Sequence, residues 1–193
     1  MHFFWGPKRI DPFSEEEVSG LGGIIIARYD HRPVGPYNEL LYIPGRHKLN
    51  GKTSFFISKI YVDSLDSVIS GQANWGIPKE LADISVEKTG KHIDVVASSK
   101  GKPFFDAYIS QGGFSFPITT KLIPIPLHQD WAGSYYFTKF IGSGSGSFSK
   151  LGVTSVDASM FADTRGFRSL ATVVVDPFKL TFPVAEIKQA PEK

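Results

Sequence analysis

The chain has no cysteine among its 193 residues. That excludes disulfides, thiolate metal sites and cysteine nucleophiles. Charge is sparse at 21% of residues, with a net of +2, so composition points to no nucleic-acid partner. No stretch approaches the roughly 20 apolar residues of a membrane-spanning helix. The start, MHFFWGPKRIDPF, lacks an apolar run followed by a small-residue cleavage site. The expectation is a cytoplasmic protein that engages neither membrane nor nucleic acid. Catalytic signatures are scarce too. GSGSGS at 142–147 lacks the Lys-Ser/Thr end of a phosphate loop, no serine sits in G-x-S-x-G, and no histidine pair has H-E-x-x-H spacing. Nothing local proposes a metal or a cofactor.

Phenylalanine is abundant at 16 and glycine at 19, a composition of strands separated by turns. GGIIIARYD (22–30) and ELLYIPG (39–45) read as strands, and EEEV (15–18) as a helical turn. TSFFISKIYVD (53–63) reads as one long strand whose two faces both meet protein, because neither is cleanly polar. SLDSVISG (64–71) reads as a short helix capped by Asp63 or Ser64, with Leu65, Val68 and Ile69 on its apolar side. Residues 82–109 read as three strands joined by hairpin turns at EKTGK and SSKGK. The prolines of 112–127 suit edges or bends. GSGSGSFSKLG is either a mobile loop or a linker. Many short strands with one or two short helices predict an antiparallel β-barrel or sandwich in a single domain, 1–193.

WGIPKEL (75–81) stands out. A lysine beside a proline after a turn is ordinarily a surface charge, yet Trp75, Ile77 and Leu81 crowd Lys79 with apolar groups, and Pro78 stiffens the backbone before it. Burial would disfavour the ammonium and free the lone pair for Schiff-base formation with a ketone or aldehyde. The iminium is an electron sink that assists decarboxylation of a β-keto acid or aldol-type cleavage.

Two segments carry a resemblance to the acetoacetate decarboxylase-like superfamily: GPYNE at 35–39, and SLDSVISGQANWGIPKELA at 64–82, where the family has a small helix, Gly-Arg-Glu, and then Pro-Lys-Lys-Leu. KLIP at 121–124 resembles a family strand, and the likeness spans roughly 22–185. It implies a mainly β fold, an antiparallel barrel or cone around an enclosed apolar cavity. It also implies a homo-oligomer, a small-molecule substrate and no cofactor. It puts Lys79 at the Schiff-base lysine and Glu39 at a cavity glutamate. Gln72 and Ala73 fall at the cavity where decarboxylases have Arg and Glu. Tyr37, Trp75 and Arg28 complete the candidate pocket, with Phe55 and Tyr61 as further aromatics.

The departures matter equally. Glu80 replaces the second lysine, a second family glutamate falls near Ile24, and the N-terminal segment is short or rebuilt. Arg9, Arg28 and Arg32 are the candidates to replace its substrate-binding arginine. The functional expectation is a lyase-like enzyme of secondary metabolism, acting through the cavity lysine on a fairly apolar carbonyl compound other than acetoacetate. Non-covalent cyclase, isomerase or hydrolase chemistry in the same cavity, or ligand binding without catalysis, are the alternatives.

Overall fold

In the computed structural model, residues 1–31, 33–49, 52–121 and 126–189 are described. In chain order the strands are β1 (His2–Ile10), β2 (Glu17–Tyr29), β3 (Tyr37–Ile43), β4 (Arg46–Leu49), β5 (Lys52–Phe55) and β6 (Lys59–Val62). Helix α1 (Leu65–Trp75) follows, then β7 (Lys79–Leu81), β8 (Asp83–Thr89), β9 (His92–Ser99) and β10 (Lys102–Thr119). The chain closes with β11 (Pro126–Trp131), β12 (Ser134–Lys139), β13 (Ile141–Val156), β14 (Arg168–Thr181) and β15 (Glu186–Gln189).

The sheet is open, which corrects the expected closed barrel or cone. Its order runs β15-β12-β11-β5-β4-β2-β1-β14-β13-β10-β9-β8, with β3, β6 and β7 branching from β2. The end strands β15 and β8 each pair with one neighbour, so the path never closes on itself. Charges on both end strands discourage further pairing: Glu186 and Lys188 are exposed on β15, Glu87 and Lys88 on β8. Nor is the sheet purely antiparallel, because β5–β11 and β6–β7 pair in parallel.

Three local expectations also change. EEEV is no helical turn; Glu17 and Val18 open β2, which pairs along β1. The stretch 53–63 is two strands. Between them the side-chain amide of Gln129 accepts from the Ile57 N–H at 2.7 Å and donates to the Ile57 carbonyl at 3.0 Å, taking the place of a ladder partner where the chain passes from β5 to β6. Both faces of β6 do meet protein: Ile60, Tyr61 and Val62 are all buried. GSGSGS is neither loop nor linker. It lies within β13, paired to β10 on one side and β14 on the other. A Cβ at Gly146 would sit 2.3 Å from Ile118 Cδ1, and one at Gly144 2.5 Å from the Pro177 carbonyl, so close strand packing explains these glycines.

Two apolar clusters sandwich the β3–β6 region. The larger includes Leu40, Tyr42, Tyr61, Phe105 and Phe161. The smaller, on the opposite face, gathers Leu41, Ile57, Ile60, Ile77 and Leu127. Helix α1 lies over that second face, and it is turned the opposite way from the periodicity reading. Leu65 and Ile69 are each 59% exposed and Val68 is half-buried, while Ser67 and Gly71 are the residues it buries. The Ser64 hydroxyl caps the N-terminus by accepting from the Ser67 N–H, and Gly76 ends the helix in the left-handed region at φ 60°. Since Ile69 faces solvent, Ile69→Ser is expected to move stability by less than about 0.5 kcal/mol in urea unfolding. A loss of 2 kcal/mol or more would mean that this face is covered.

Candidate functional site

The site begins with strand alternation. In the β2–β3 ladder Ala27 faces Glu39 and Tyr29 faces Tyr37, so Tyr29, Tyr37 and Glu39 project to one side. β3 pairs with β6, Glu39 opposite Val62, and β6 pairs with β7, Ile60 opposite Lys79. Lys79 thereby reaches the same side, beneath α1.

There its Nζ donates to Glu39 Oε2 at 2.9 Å and to Ser67 Oγ at 3.0 Å. Both side chains of the ion pair are only 7% exposed. The Tyr37 ring centroid lies 5.1 Å from Nζ, within cation–π range. The Tyr29 hydroxyl sits 3.5 Å from Glu39 Oε1, a long hydrogen bond. Gly71 makes the arrangement possible: a Cβ there would lie 2.6 Å from Lys79 Cδ and 2.9 Å from Cε, so the lysine stem crosses the helix where a side chain is missing. The Glu39 carboxylate is placed to take the one proton the ammonium must shed to become a nucleophile, while the Ser67 hydroxyl accepts a second hydrogen bond from Nζ.

The neighbouring Glu80 does not take part. It emerges on the opposite face of β7, where Lys59 Nζ meets its Oε1 at 2.6 Å. Burial works against the Lys59 ammonium, yet hydrogen bonds to Glu80 and Tyr61 outweigh it and raise its pKa.

The other candidates separate. Gln72 donates to the Lys79 carbonyl at 3.0 Å, tying helix to strand rather than reaching the ammonium. Trp75 packs edge-on against Phe182 and donates to the Pro183 carbonyl, while Ala73 is exposed. Arg28 alternates to the far side of β2 and pairs with Asp30. Arg9 bonds the Tyr42 hydroxyl and the Pro44 carbonyl beside the larger cluster. Arg32 and residues 122–124 of KLIP lie outside the described residues. Tyr61 points to the other face, donating to the Met160 carbonyl, and Phe55 lies under Arg46. The sequence reading missed Ser67 and Tyr29. Only the Ser67/Gly71 spacing of four, a small-residue stripe on a helix next to the lysine, signalled the first.

Two surface hollows, of about 420 and 340 Å³, are lined by Phe148–Leu151 with Ser169–Thr172, and by residues of β8, β9 and Asp63. Neither is lined by Lys79 or Glu39. Among the described residues no three or more His, Asp or Glu side chains group as metal ligands, and no helix is long and apolar enough to cross a membrane.

A mainly β fold that buries a lysine–glutamate pair beneath one short helix defines the class. The particular family follows from comparison: a model of acetoacetate decarboxylase (ADC) matches residues 7–115, and the chain belongs to that family. Among solved structures it is similar to an acetoacetate decarboxylase from Legionella pneumophila (TM-score 0.67, 13% identity, 97% of this chain and 84% of that one). It is also similar to a second acetoacetate decarboxylase structure (0.65, 10%, 97% and 85%). The enduracididine biosynthesis enzyme MppR complexed with pyruvate is a third (0.54, 15%, 96% and 83%). At these identities the likeness is one of fold. No curated protein matches the sequence.

Two stability predictions follow from the geometry. Alanine is ordinarily about 1 kcal/mol better than glycine inside a helix. Gly71→Ala is nevertheless expected to destabilise by about 1–3 kcal/mol, because its Cβ collides with Lys79. A gain in denaturation midpoint would show that the lysine stem is not pinned there. Breaking a buried pair from one side costs about 3–5 kcal/mol. Lys79→Met and Glu39→Leu should each incur such a loss, while the double variant should be more stable than either single one. Additive losses in the double-mutant cycle would show that the two charges do not depend on one another.

Proposed function

We propose that the protein is a carbon-bond lyase in which Lys79 forms a Schiff base with a small, fairly apolar carbonyl compound. The observation that supports this reading is the buried Nζ within hydrogen-bond reach of both Glu39 and Ser67. Glu39 Oε2 takes the proton from the Lys79 ammonium. The neutral amine then adds to the carbonyl carbon, giving a carbinolamine whose new hydroxyl lies beside Ser67. Glu39 returns its proton to that hydroxyl, water leaves, and the C=N⁺ bond forms. The iminium accepts the electron pair released when a carbon–carbon bond to its α-carbon breaks; the departing fragment is carbon dioxide, or an aldehyde whose hydroxyl proton passes to Glu39 as the bond breaks. Protonation of the resulting enamine and hydrolysis return the amine. The Tyr37 ring face holds the iminium's positive charge as it holds the ammonium's.

The fully formed ion pair also suits a second reading, in which Lys79 and Glu39 act as an acid–base couple with no covalent step. Ligand binding without turnover is a third.

Borohydride reduction in the presence of ketones and aldehydes, followed by peptide mass spectrometry, separates them. The covalent reading expects an adduct on the Lys79 peptide, its loss in Lys79→Arg, and adduct formation slowed by about 10²–10⁴ in Glu39→Gln. Absence of any Lys79 adduct across the set sinks the covalent mechanism. If in that case Glu39→Gln abolishes turnover while Lys79→Arg keeps part of it, the acid–base reading stands instead.

A further inference from the structure

We propose that the first two turns of α1, residues 65–71, are a lid over Lys79, and that they unwind from a fixed last turn to admit the carbonyl compound. This rests on the reading above only in taking Lys79 as the place where that compound arrives.

The site as it stands is closed. Lys79 and Glu39 are each 7% exposed, and Nζ is enclosed by Glu39, Ser67 and the Tyr37 ring. Neither of the two surface hollows is lined by either residue of the pair. A carbonyl carbon has to come within bonding distance of Nζ, so something over the amine has to move. Most of its surroundings are fixed, because β3 and β6 are laddered to each other and to β2 and β7. Ser67 is different. It reaches Nζ from a helix laid over the sheet, and Gly71 of the same helix covers the lysine stem.

The two ends of that helix are held unequally. In its last turn Gln72 donates to the Lys79 carbonyl, the Asn74 carbonyl accepts from the Ala185 N–H, and Trp75 donates to the Pro183 carbonyl and packs against Phe182. Just beyond, Gly76 lies so close to Tyr136 that a Cβ would collide with the ring, and Ile77 is buried in the smaller apolar cluster. Residues 65–71 have no comparable hold. None of them belongs to either apolar cluster, and Leu65 and Ile69 stand in solvent. Apart from bonds within the helix and its caps, the one side-chain hydrogen bond they make among the described residues joins Ser67 Oγ to Lys79 Nζ. A segment with so little buried apolar surface opens at low cost, and helix ends fray first. Asp63, just before the helix, is anchored through both carboxylate oxygens to Asn38, so the opening begins at Ser64. Unwinding these turns takes Ser67 from Nζ and Gly71 from the stem, and it leaves Glu39 in place on β3 to receive the proton. Closure over a bound compound keeps water from the iminium.

The test is reductive methylation of the intact protein with formaldehyde and cyanoborohydride, read by peptide mass spectrometry, with amide hydrogen exchange measured on the same variants. Formaldehyde modifies any amine it reaches, so the outcome does not depend on Lys79 being catalytic. Lys79 is expected to label at least roughly ten-fold more slowly than the exposed Lys102, in proportion to the open fraction of the lid. Ser64→Ala removes the helix cap without touching Lys79, and should speed Lys79 labelling and amide exchange at 68–71 together by about five-fold. Ile69→Ala, a better helix former at an exposed position, should slow both about two-fold, and it carries the test alone if the cap variant fails to fold. Ile93→Val, in the larger cluster on the opposite face, should speed exchange of the core amides several-fold and leave Lys79 labelling unchanged. Lys79 labelling as fast as that of Lys102 overturns the proposal, since the site is then open at rest. Labelling that follows Ile93→Val instead of the helix variants overturns it too, because the amine is then reached through global unfolding. So does labelling that none of the variants moves, or no labelling of Lys79 while 68–71 exchange; entry then lies elsewhere. In each of these cases the ketone and aldehyde trapping above still decides the Schiff-base reading on its own.

Discussion

The constraint on which the rest of the site depends is the burial of one ammonium against one carboxylate. Placing Lys79 and Glu39 at 7% exposure takes two charges out of water, and the arrangement holds only if their remaining hydrogen-bonding capacity is met. That requirement explains why α1 faces the way it does. A helix presenting Leu65 and Ile69 inward would offer the ammonium no acceptor and would leave no room for its stem. The helix instead buries a serine that accepts from Nζ and a glycine that clears a path for Cδ and Cε. Two large apolar side chains are left in solvent as a result.

The same strands then handle a second lysine–glutamate pair without confusing it with the first. Adjacent residues in a strand point to opposite faces. Lys79 and Glu80, neighbours in sequence, therefore belong to different environments: Lys79 to the small-residue face of α1, Glu80 to Lys59 and the aromatic Tyr61 at the partly open side. Glu80 stands where the resemblance has a second lysine, but its partner is Lys59, twenty-one residues upstream, which no pattern within 75–81 reveals.

Period-two reasoning was enough to find the strands of 82–109 and the two protein-facing sides of β6, and the resemblance of 35–39 and 64–82 was enough to find the family. What it could not supply was any arrangement in which local pattern gave way to long-range contact. The break at 56–58 depends on the Gln129 side chain standing in for a strand, and Gln129 is 72 residues from Ile57. The serine–glycine run looked disordered because its composition is that of a linker. Only the closeness of Ile118, Val175 and Pro177 shows why glycine is needed there. The helix was found but turned wrongly, since amphipathic analysis assumes that apolar residues go inside. Lys79 and Glu39 were legible because each sits in a family segment. Ser67 lies in the 64–82 segment too, but nothing in that segment's pattern marks it, and Tyr29 lies outside both segments; only the folded register brings them to the pair.

Charge conservation links the resting site to the proposed chemistry. In the resting state the site holds one positive and one negative group. When a neutral carbonyl compound condenses with Lys79, the ammonium is replaced by an iminium of the same charge in nearly the same place, water departs uncharged, and Glu39 ends as it began. The Tyr37 face and the Glu39 carboxylate, already set around a cation, need no rearrangement to hold the new one, which is the condition for low-cost electrostatic stabilisation in a water-poor site. The alternation that sends Arg28 and Lys59 to the opposite faces of their strands keeps these two cations away from the Lys79–Glu39 pair, so that the carboxylate is left to the one ammonium.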